Sequence, residues 1–310
     1  MASQPADQIS LTPLLRKKRV RWGEEIIRLV LFASALLSIV TTLLIVFILL
    51  KESYNFFQEV SVWEFLTGTE WSALIKPHKF GVLPLVCGTL QIVIGSALVA
   101  IPIGLSCAIY LREYASDSIR HFVKPILEIL AGIPTIVYGF FAIMFVTPIL
   151  KQIFPGTDTF NAASASIVVG IMILPMVASL CDDALRAVPG SLRQGAYALG
   201  ATSFEVTTQV VVPSALSGII ASFVLAASRA IGETMAVSLA AGATPSMSMN
   251  PLKSIQTMTA FIVEVASGDA QYDTVEYHSL FAVAILLFSV TLGMNLLSNH
   301  ILRSYREVYE

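Results

Sequence analysis

The chain has 310 residues, of which 55% are hydrophobic and 13% are charged, and its formal net charge at pH 7 is −2. Soluble domains carry about 25% charged residues, so this composition excludes an ordinary soluble protein and indicates a membrane protein. The small net charge offers no basic surface to nucleic acid, and we expect no nucleic-acid partner.

Six apolar runs are long enough to cross a bilayer, which requires roughly 20 apolar residues. The first run follows the basic stretch Arg16–Arg21 but is longer than the roughly 7–15 apolar residues of a signal peptide, so we expect an uncleaved span. The sequence therefore predicts an all-α, polytopic membrane protein with six transmembrane helices. The predicted spans are Ile26–Leu50, Leu83–Leu111, Leu127–Leu150, Ala162–Leu180, Leu216–Ala241 and Leu280–Leu302.

The distribution of Lys and Arg predicts the orientation of these spans, because cytoplasmic loops are enriched in both residues. With a cytoplasmic N-terminus, the inner segments hold twelve Lys and Arg, and the outer segments hold five. We therefore expect both termini in the cytoplasm, with residues 1–25 as a cytoplasmic segment and 26–310 as one transmembrane domain. Its longer connections are an outer segment 51–82, a cytoplasmic loop 181–213 and an outer loop 243–279.

The two outer connections contain apolar residues of their own. Segment 51–82 includes WEFLTGTEWSALIKPHKFG, and its aromatic residues are typical of a membrane interface. Loop 243–279 includes Ser254–Ala266, which is apolar but too short to span. We expect a short helix there, either at the outer interface or on the protein surface under a loop.

The cytoplasmic loop 181–213 has the pattern of a helix–glycine–helix hairpin. Ser191 and Gln194 have the spacing of a capping box, in which each side chain satisfies a free backbone N–H at a helix start. Gly200 is expected to end this helix in a left-handed conformation, and a second helix, Ser203–Val212, to stop at Pro213. These residues alone are compatible with a folded loop and with a docking element for another protein.

Motifs of nucleotide and metal chemistry are absent from the sequence. It contains no Gly-Lys-Ser/Thr, no G-x-G-x-x-G, no H-E-x-x-H and no C-x-x-C. The four histidines do not cluster with acidic residues at the spacing of metal ligands. We therefore expect no enzymatic activity, no metal and no cofactor in this chain.

Loop 181–213 resembles the cytoplasmic loop of ATP-binding-cassette importer permeases, which carries E-A-A, then a glycine after three residues, and later a hydrophobic stretch ending in proline. Here Gln194-Gly195-Ala196 stands in place of E-A-A, Gly200 is the glycine, and Val210–Val212 with Pro213 closes the pattern. The glutamate and the first alanine of the family are thus replaced by Gln194 and Gly195. By this resemblance the hairpin, with Ser191, is the element that couples to an ATPase subunit.

Four further motifs resemble the phosphate-specific permeases, in particular the PstC-type subunit. They are FGVLPLVCGTL (Phe80–Leu90), A-x-P-x-G (Ala100–Gly104), GIPTIVYG (Gly132–Gly139) and RAIGETMAV (Arg229–Val237). The resemblance implies the six-helix, MetI-like fold of type I importer permeases in a bacterial inner membrane. It also implies inorganic phosphate as substrate, a PstA-type second permease, two ATP-binding subunits and an extracytoplasmic phosphate-binding protein. The alternatives are transport of another oxyanion, such as molybdate or sulfate, and a sensory or scaffold protein without transport.

The fifth predicted span contains two ionisable residues, Arg229 and Glu233. Each costs at least ~2.5–3.5 kcal/mol deep in a bilayer and normally faces a partner or a water-filled cavity. Residues four apart share a helix face, so the two are predicted to lie close together. Three interpretations remain open: a buried bridge with Ser228 or Thr234, a lining of the translocation path that contacts phosphate, and a gate contact to the second permease.

Overall fold

The computed structural model describes residues 22–304, which are mostly helical and divide into two units at Ile48 and Leu49. The first unit contains the beginning of helix α1 (Trp22–Glu59). An 18-residue window of this helix has a mean hydropathy of 2.7 with none of it buried. A helix that is apolar on all sides suits a lipid environment, which agrees with the first predicted span.

The second unit begins with a small aromatic cluster. After α1 come α2 (Val62–Thr67) and two short antiparallel strands, β1 (Trp71–Ser72) and β2 (Lys79–Phe80), with Trp71 opposite Phe80. Trp71 and Phe80 are buried and stack edge to face at 6.2 Å between ring centroids. These two aromatic residues therefore form a local core, whereas Trp63 is 76% exposed. The location of this segment at a membrane interface stays a prediction.

Two long helices, α3 (Leu83–Ile109) and α7 (Ala162–Arg186), pack closely against each other. A π-helical turn, Tyr110–Tyr114, continues α3. A Cβ atom on Gly104 would lie 2.8 Å from Val177, and one on Gly170 would lie 2.7 Å from Val99. Small residues thus permit the close approach of the two helices, as is common in membrane bundles.

The third span begins later than predicted. Helix α4 (Asp117–Gly132) is amphipathic and has no buried residue, and the span itself follows as α5 (Thr135–Phe141), a π-helical segment (Ala142–Val146) and α6 (Thr147–Ile153). Pro134 disfavours the helical conformation at the residue before it, and Ile133 is extended with φ −69° and ψ 130°. The predicted continuous span Leu127–Leu150 is therefore broken at this proline.

The hairpin of loop 181–213 starts with α8 (Gly190–Ala198). Its N-cap is Pro189 and no side chain caps it, so Ser191 lies inside the first turn and the predicted Ser191–Gln194 capping box is wrong. The predicted end is confirmed, because Gly200 has φ +86° and its N–H donates to the Tyr197 carbonyl. The Ala201 N–H donates to the Ala196 carbonyl, which completes a Schellman motif.

The second half of the hairpin begins with a capping box formed by Thr202 and Glu205. The Thr202 hydroxyl accepts from the Glu205 N–H at 3.3 Å, and the Glu205 carboxylate accepts from the Thr202 N–H at 2.8 Å. The helix runs as α9 (Ser203–Glu205), a π-helical segment (Val206–Val211) and α10 (Val212–Ser214). It therefore continues through Pro213 instead of stopping there, and bends by 67° at Ala215. A proline is tolerated where the hydrogen-bond pattern changes, here directly after the π-helical segment.

The fifth span also differs from its prediction, since it consists of α11 (Leu216–Ile231), a break and α12 (Met235–Ala240). A short buried helix, α13 (Met258–Glu264), continues into a π-helical segment (Val265–Asp269) and precedes α14 (Val275–Ser304). By length and composition, five described helices suit membrane spans, or six when the bent pair Ser203–Ser214 and Leu216–Ile231 counts as one. The predicted all-α, multi-span fold is confirmed. The cytoplasmic location of both termini stays a prediction, and residues 1–21 and 305–310 lie outside the described part.

Candidate functional site

A cavity of about 850 Å³ lies between α4, α7, α11 and α14. Its lining is partly apolar, with Ser179, Ser228 and Asn295 among the polar residues. Ionisable residues in membrane proteins usually mark substrate or ion pathways, and this cavity has several. The charged residues of the lining are Lys124, Glu128, Asp182, Asp183, Arg229 and Glu233.

Glu233 lies in the break between α11 and α12, and only 8% of the residue is exposed. Its Oε1 accepts a hydrogen bond from the Ala236 N–H at 3.3 Å, which is a free donor at the start of α12. The Thr259 hydroxyl donates to the Glu233 carbonyl at 2.8 Å. Glu233 is thus fixed at the cavity wall by its side chain and by its backbone.

Arg229 lies in the last turn of α11, and its side chain is exposed to the cavity. Within residues 22–304, its guanidinium forms neither an ion pair nor a hydrogen bond. A cation is favoured at the C-terminal end of a helix by the helix dipole. Arg229 therefore presents all of its N–H donors to the cavity from a favourable position.

The prediction that Arg229 and Glu233 share one face of a continuous helix is wrong. Helix α11 ends at Ile231 because Gly232 has a low helix propensity and because Glu233, one residue before the N-cap Thr234, accepts from the Ala236 N–H at the start of the next helix. The i,i+4 geometry is therefore lost, although both residues line the same cavity.

Thr234 is not among the residues that line this cavity. Its hydroxyl donates to the Gly232 carbonyl at 3.0 Å, and its carbonyl accepts from the Ser238 hydroxyl at 2.8 Å. These bonds lie within the break and the first turn of α12. Thr234 therefore helps to shape the break that holds Glu233.

Lys124 and Asp182 form an ion pair at 3.4 Å that joins α4 to α7 at the cavity. Sequence reasoning missed this pair, because the two residues lie in different helices and 58 positions apart. The local signal for a partner was the pair of adjacent carboxylates, Asp182 and Asp183, at the end of an apolar run. Even one carboxylate is energetically costly there unless it faces water or a partner. The pair leaves Arg229 as a cavity cation without a protein partner in the described part of the chain.

At the other end of α7, Asp158 joins the loop before α7 to the loop after α12. Its Oδ1 lies 3.1 Å from Lys253 Nζ, and its Oδ2 accepts from the Ser254 N–H at 3.3 Å. The hydrogen bond from Lys253, with further help from Ser254 and Lys151, lowers the pKa of Asp158 below its ordinary value. This contact closes the loops over the end of the bundle opposite the hairpin.

The hairpin exposes an apolar tip. Tyr197 is 46% exposed, Leu199 90% and Phe204 68%. Of the residues predicted for coupling, Ser191, Gln194, Gly195, Gly200 and Pro213 are exposed and Ala196 is half-buried. The three apolar residues were not predicted from the sequence, although their position on either side of Gly200 is a signal for an exposed tip.

A family model described as "Binding-protein-dependent transport system inner membrane component" matches residues 100–307. The chain belongs to this family. Members are permease subunits of binding-protein-dependent importers, so the chain is a permease.

Individual relatives extend this assignment over most of the permease. It is 34% identical over 283 residues to the probable ABC transporter permease protein YqgH of Bacillus subtilis, which covers 91% of each chain. It is 32% identical over 251 residues to the phosphate transport system permease protein PstC of Mesorhizobium japonicum, which covers 74% of this permease and 75% of that protein. The predicted resemblance to PstC-type permeases is confirmed.

Solved structures confirm the fold. The permease matches a chain of a bacterial alginate ABC transporter with a TM-score of 0.64 and 16% identity, over 92% of this permease and 99% of that chain. It also matches a chain of the MetNI methionine ABC transporter with a TM-score of 0.56 and 19% identity, over 72% of this permease and 96% of that chain. At these identities the likeness shows the type I importer fold alone.

Proposed function

We propose that this permease is the transmembrane subunit of an ATP-driven phosphate importer and forms half of its translocation path. The observation that carries the proposal is Arg229, an exposed cavity cation without a protein partner among the described residues. An arginine matches the oxygens of phosphate through charge-assisted hydrogen bonds. The similarity to PstC supports phosphate over the other oxyanions.

The cavity also suits release of the anion. Among the described residues, the carboxylates of Glu128, Asp182, Asp183 and Glu233 surround a single available cation, so a bound phosphate meets carboxylates on several sides. A transport path needs binding strong enough for entry and weak enough for exit. We therefore assign Arg229 to transient contact with phosphate, Glu233 to limiting its affinity, and Thr234 to shaping the break.

The hairpin is the coupling element in this proposal. Exposed Tyr197, Leu199 and Phe204 form an apolar tip that fits a groove on an ATP-binding subunit. Gly200 and Pro213 shape the hairpin, while Ser191, Gln194, Gly195 and Ala196 form the helix behind the tip. ATP hydrolysis takes place on that separate subunit, and this chain has no catalytic role.

The proposed assembly follows from the resemblance to phosphate permeases. It contains this permease, a PstA-type partner, two ATP-binding subunits and an extracytoplasmic phosphate-binding protein in a bacterial cytoplasmic membrane. Closure of the ATPase dimer moves the hairpins, and the cavity between the permeases opens outward. The loaded binding protein then delivers phosphate to the cavity.

The test is to purify the permease with its membrane and ATP-binding partners and to reconstitute the complex in liposomes. We expect co-purification of the ATP-binding subunit and ATP-dependent uptake of radiolabelled phosphate, not displaced by excess sulfate or molybdate. Uptake of sulfate or molybdate in place of phosphate would reassign the substrate. Absence of an ATP-binding partner and of any uptake would favour a sensory or scaffold protein.

A further inference from the structure

Arg193 ties the hairpin to two membrane helices through a set of polar contacts. It lies in α8, and one guanidinium nitrogen, Nη2, is 3.1 Å from Glu113 Oε1 and donates to the Leu185 carbonyl at 2.8 Å. The other, Nη1, donates to the Val188 carbonyl at 3.4 Å. One side chain thus joins α8 to the π-helical end of α3 and to the end of α7.

These contacts are shielded from solvent, since the side chains of Arg193 and Glu113 are 17% and 11% exposed. The Leu185 and Val188 carbonyls lie where α7 ends, so they have no acceptor role within that helix. The dipole of α7 places partial negative charge at the same point. A planar guanidinium satisfies the carboxylate and both carbonyls together, which a neutral side chain does not do.

The partners of Arg193 lead directly to the cavity. Glu113 is two residues from Leu111, and Leu185 is three residues from Asp182. Leu111, in the π-helical turn that continues α3, and Asp182, in α7, both line the cavity. A displacement of α8 that keeps the Arg193 contacts therefore moves two walls of the cavity.

The other contacts of α8 differ in kind. Leu192 and Ala196 pack against the hydrophobic core, and such contacts are non-directional and tolerate sliding. Hydrogen bonds weaken steeply when their geometry is distorted, so the Arg193 set holds α8 in one register. The polar contacts therefore transmit motion that the apolar contacts alone would absorb.

We propose that Arg193, with Glu113, is a positioning pair that transmits movement of α8 to the cavity walls on α3 and α7. This inference rests on the coupling role proposed for the hairpin. It predicts that loss of the pair separates ATP hydrolysis from transport while the subunits remain together.

The test compares Arg193→Gln, Arg193→Lys, Glu113→Gln and the double variant in the reconstituted complex. The matched control is Arg186→Gln, since Arg186 is an exposed arginine in the last turn of α7 without a partner in the described part of the chain. The readout is the number of phosphate ions transported per ATP hydrolysed, at equal amounts of assembled complex. A merely structural role would lower the amount of complex and leave this ratio unchanged.

We expect Arg193→Gln and Glu113→Gln each to lower the ratio by about tenfold, the factor typical of one charge-assisted hydrogen bond. The double variant should be no worse than Arg193→Gln, Arg193→Lys should recover part of the ratio, and Arg186→Gln should match the wild type. An unchanged ratio, an equal effect of Arg186→Gln, or loss of assembly in all the pair variants would overturn the proposal.

A second measurement separates this inference from the proposed function. Amide hydrogen exchange of the complex needs no transported substrate, and Glu113→Gln should raise exchange in α8 and the last turn of α7 alone. If the wild-type complex moves no phosphate, the proposed function fails, whereas unchanged exchange in Glu113→Gln would overturn the role of Arg193.

Discussion

In the described part of the chain, Arg229 and Glu233 line one cavity from two sides of a helix break without forming an ion pair with each other. Glu233 is held by the Ala236 N–H and Thr259, whereas the N–H donors of Arg229 have no partner among residues 22–304. This arrangement favours a contact with substrate or with the second permease over a bridge between the two residues. It also assigns different consequences to their replacement.

Two replacements of Glu233 distinguish its hydrogen bond to the Ala236 N–H from the effect of its charge on phosphate. Glutamine removes the charge and keeps an acceptor for this N–H, whereas alanine removes both. Glu233→Ala should destabilise α12 by about 1 kcal/mol, the typical cost of losing a cap. Glu233→Gln should keep the thermal stability of the wild type while changing phosphate uptake. The measurement is thermal unfolding of the purified complex beside uptake. Equal loss of stability in both variants would contradict the capping role.

Two glycines of the hairpin are predicted to respond in opposite directions to the same substitution. Gly200 has φ +86°, so Gly200→Ala should cost about 1–2 kcal/mol although its surroundings are open. Gly195 is also in open space but lies within α8, where Gly195→Ala should stabilise the helix by up to about 1 kcal/mol. The two variants are compared by measuring the thermal stability of the complex and its retention of the ATP-binding subunit. Full retention of stability, ATPase binding and uptake in Gly200→Ala would contradict the coupling geometry.

The Asp158–Lys253 contact predicts a dependence of stability on pH. The pKa of Asp158 is lower in the folded protein than in the unfolded chain, chiefly because Lys253 donates to the carboxylate. The contribution is therefore present above the unfolded pKa of about 3.9 and is lost as pH falls through the folded value. Asp158→Asn should lower the melting temperature at pH 7, and the difference from wild type should shrink below about pH 4. A difference that stays constant down to pH 3 would contradict this account.

The spans were accessible from sequence, because length and apolar composition are local properties of the chain. Their breaks were harder to find. The break at Ile133 was indicated by Pro134 and by the charges of α4, but the apolar residues on both sides concealed it. The break at Gly232 depends on the Glu233 side chain capping α12, which a count of apolar residues does not detect.

The cavity was only partly predictable. Arg229 and Glu233 were noticeable as ionisable residues inside an apolar run. The Lys124–Asp182 pair and the Arg193–Glu113 pair join helices that are distant in sequence, so their partners follow only from tertiary packing. The capping box at Thr202 and Glu205 has the same spacing as the one expected at Ser191 and Gln194. The expected box does not form because Pro189, and not Ser191, is the N-cap of α8.

The central claim, that this permease forms a phosphate path at Arg229, is tested most directly by phosphate uptake into liposomes with Arg229→Gln and Arg229→Lys. Assembly and ATP hydrolysis are measured on the same preparations. We predict that Arg229→Gln lowers uptake by about 10- to 100-fold at wild-type assembly, as expected for one or two charge-assisted hydrogen bonds, and that Arg229→Lys is intermediate. Uptake that is unchanged, or that falls only in step with assembly, would contradict the claim.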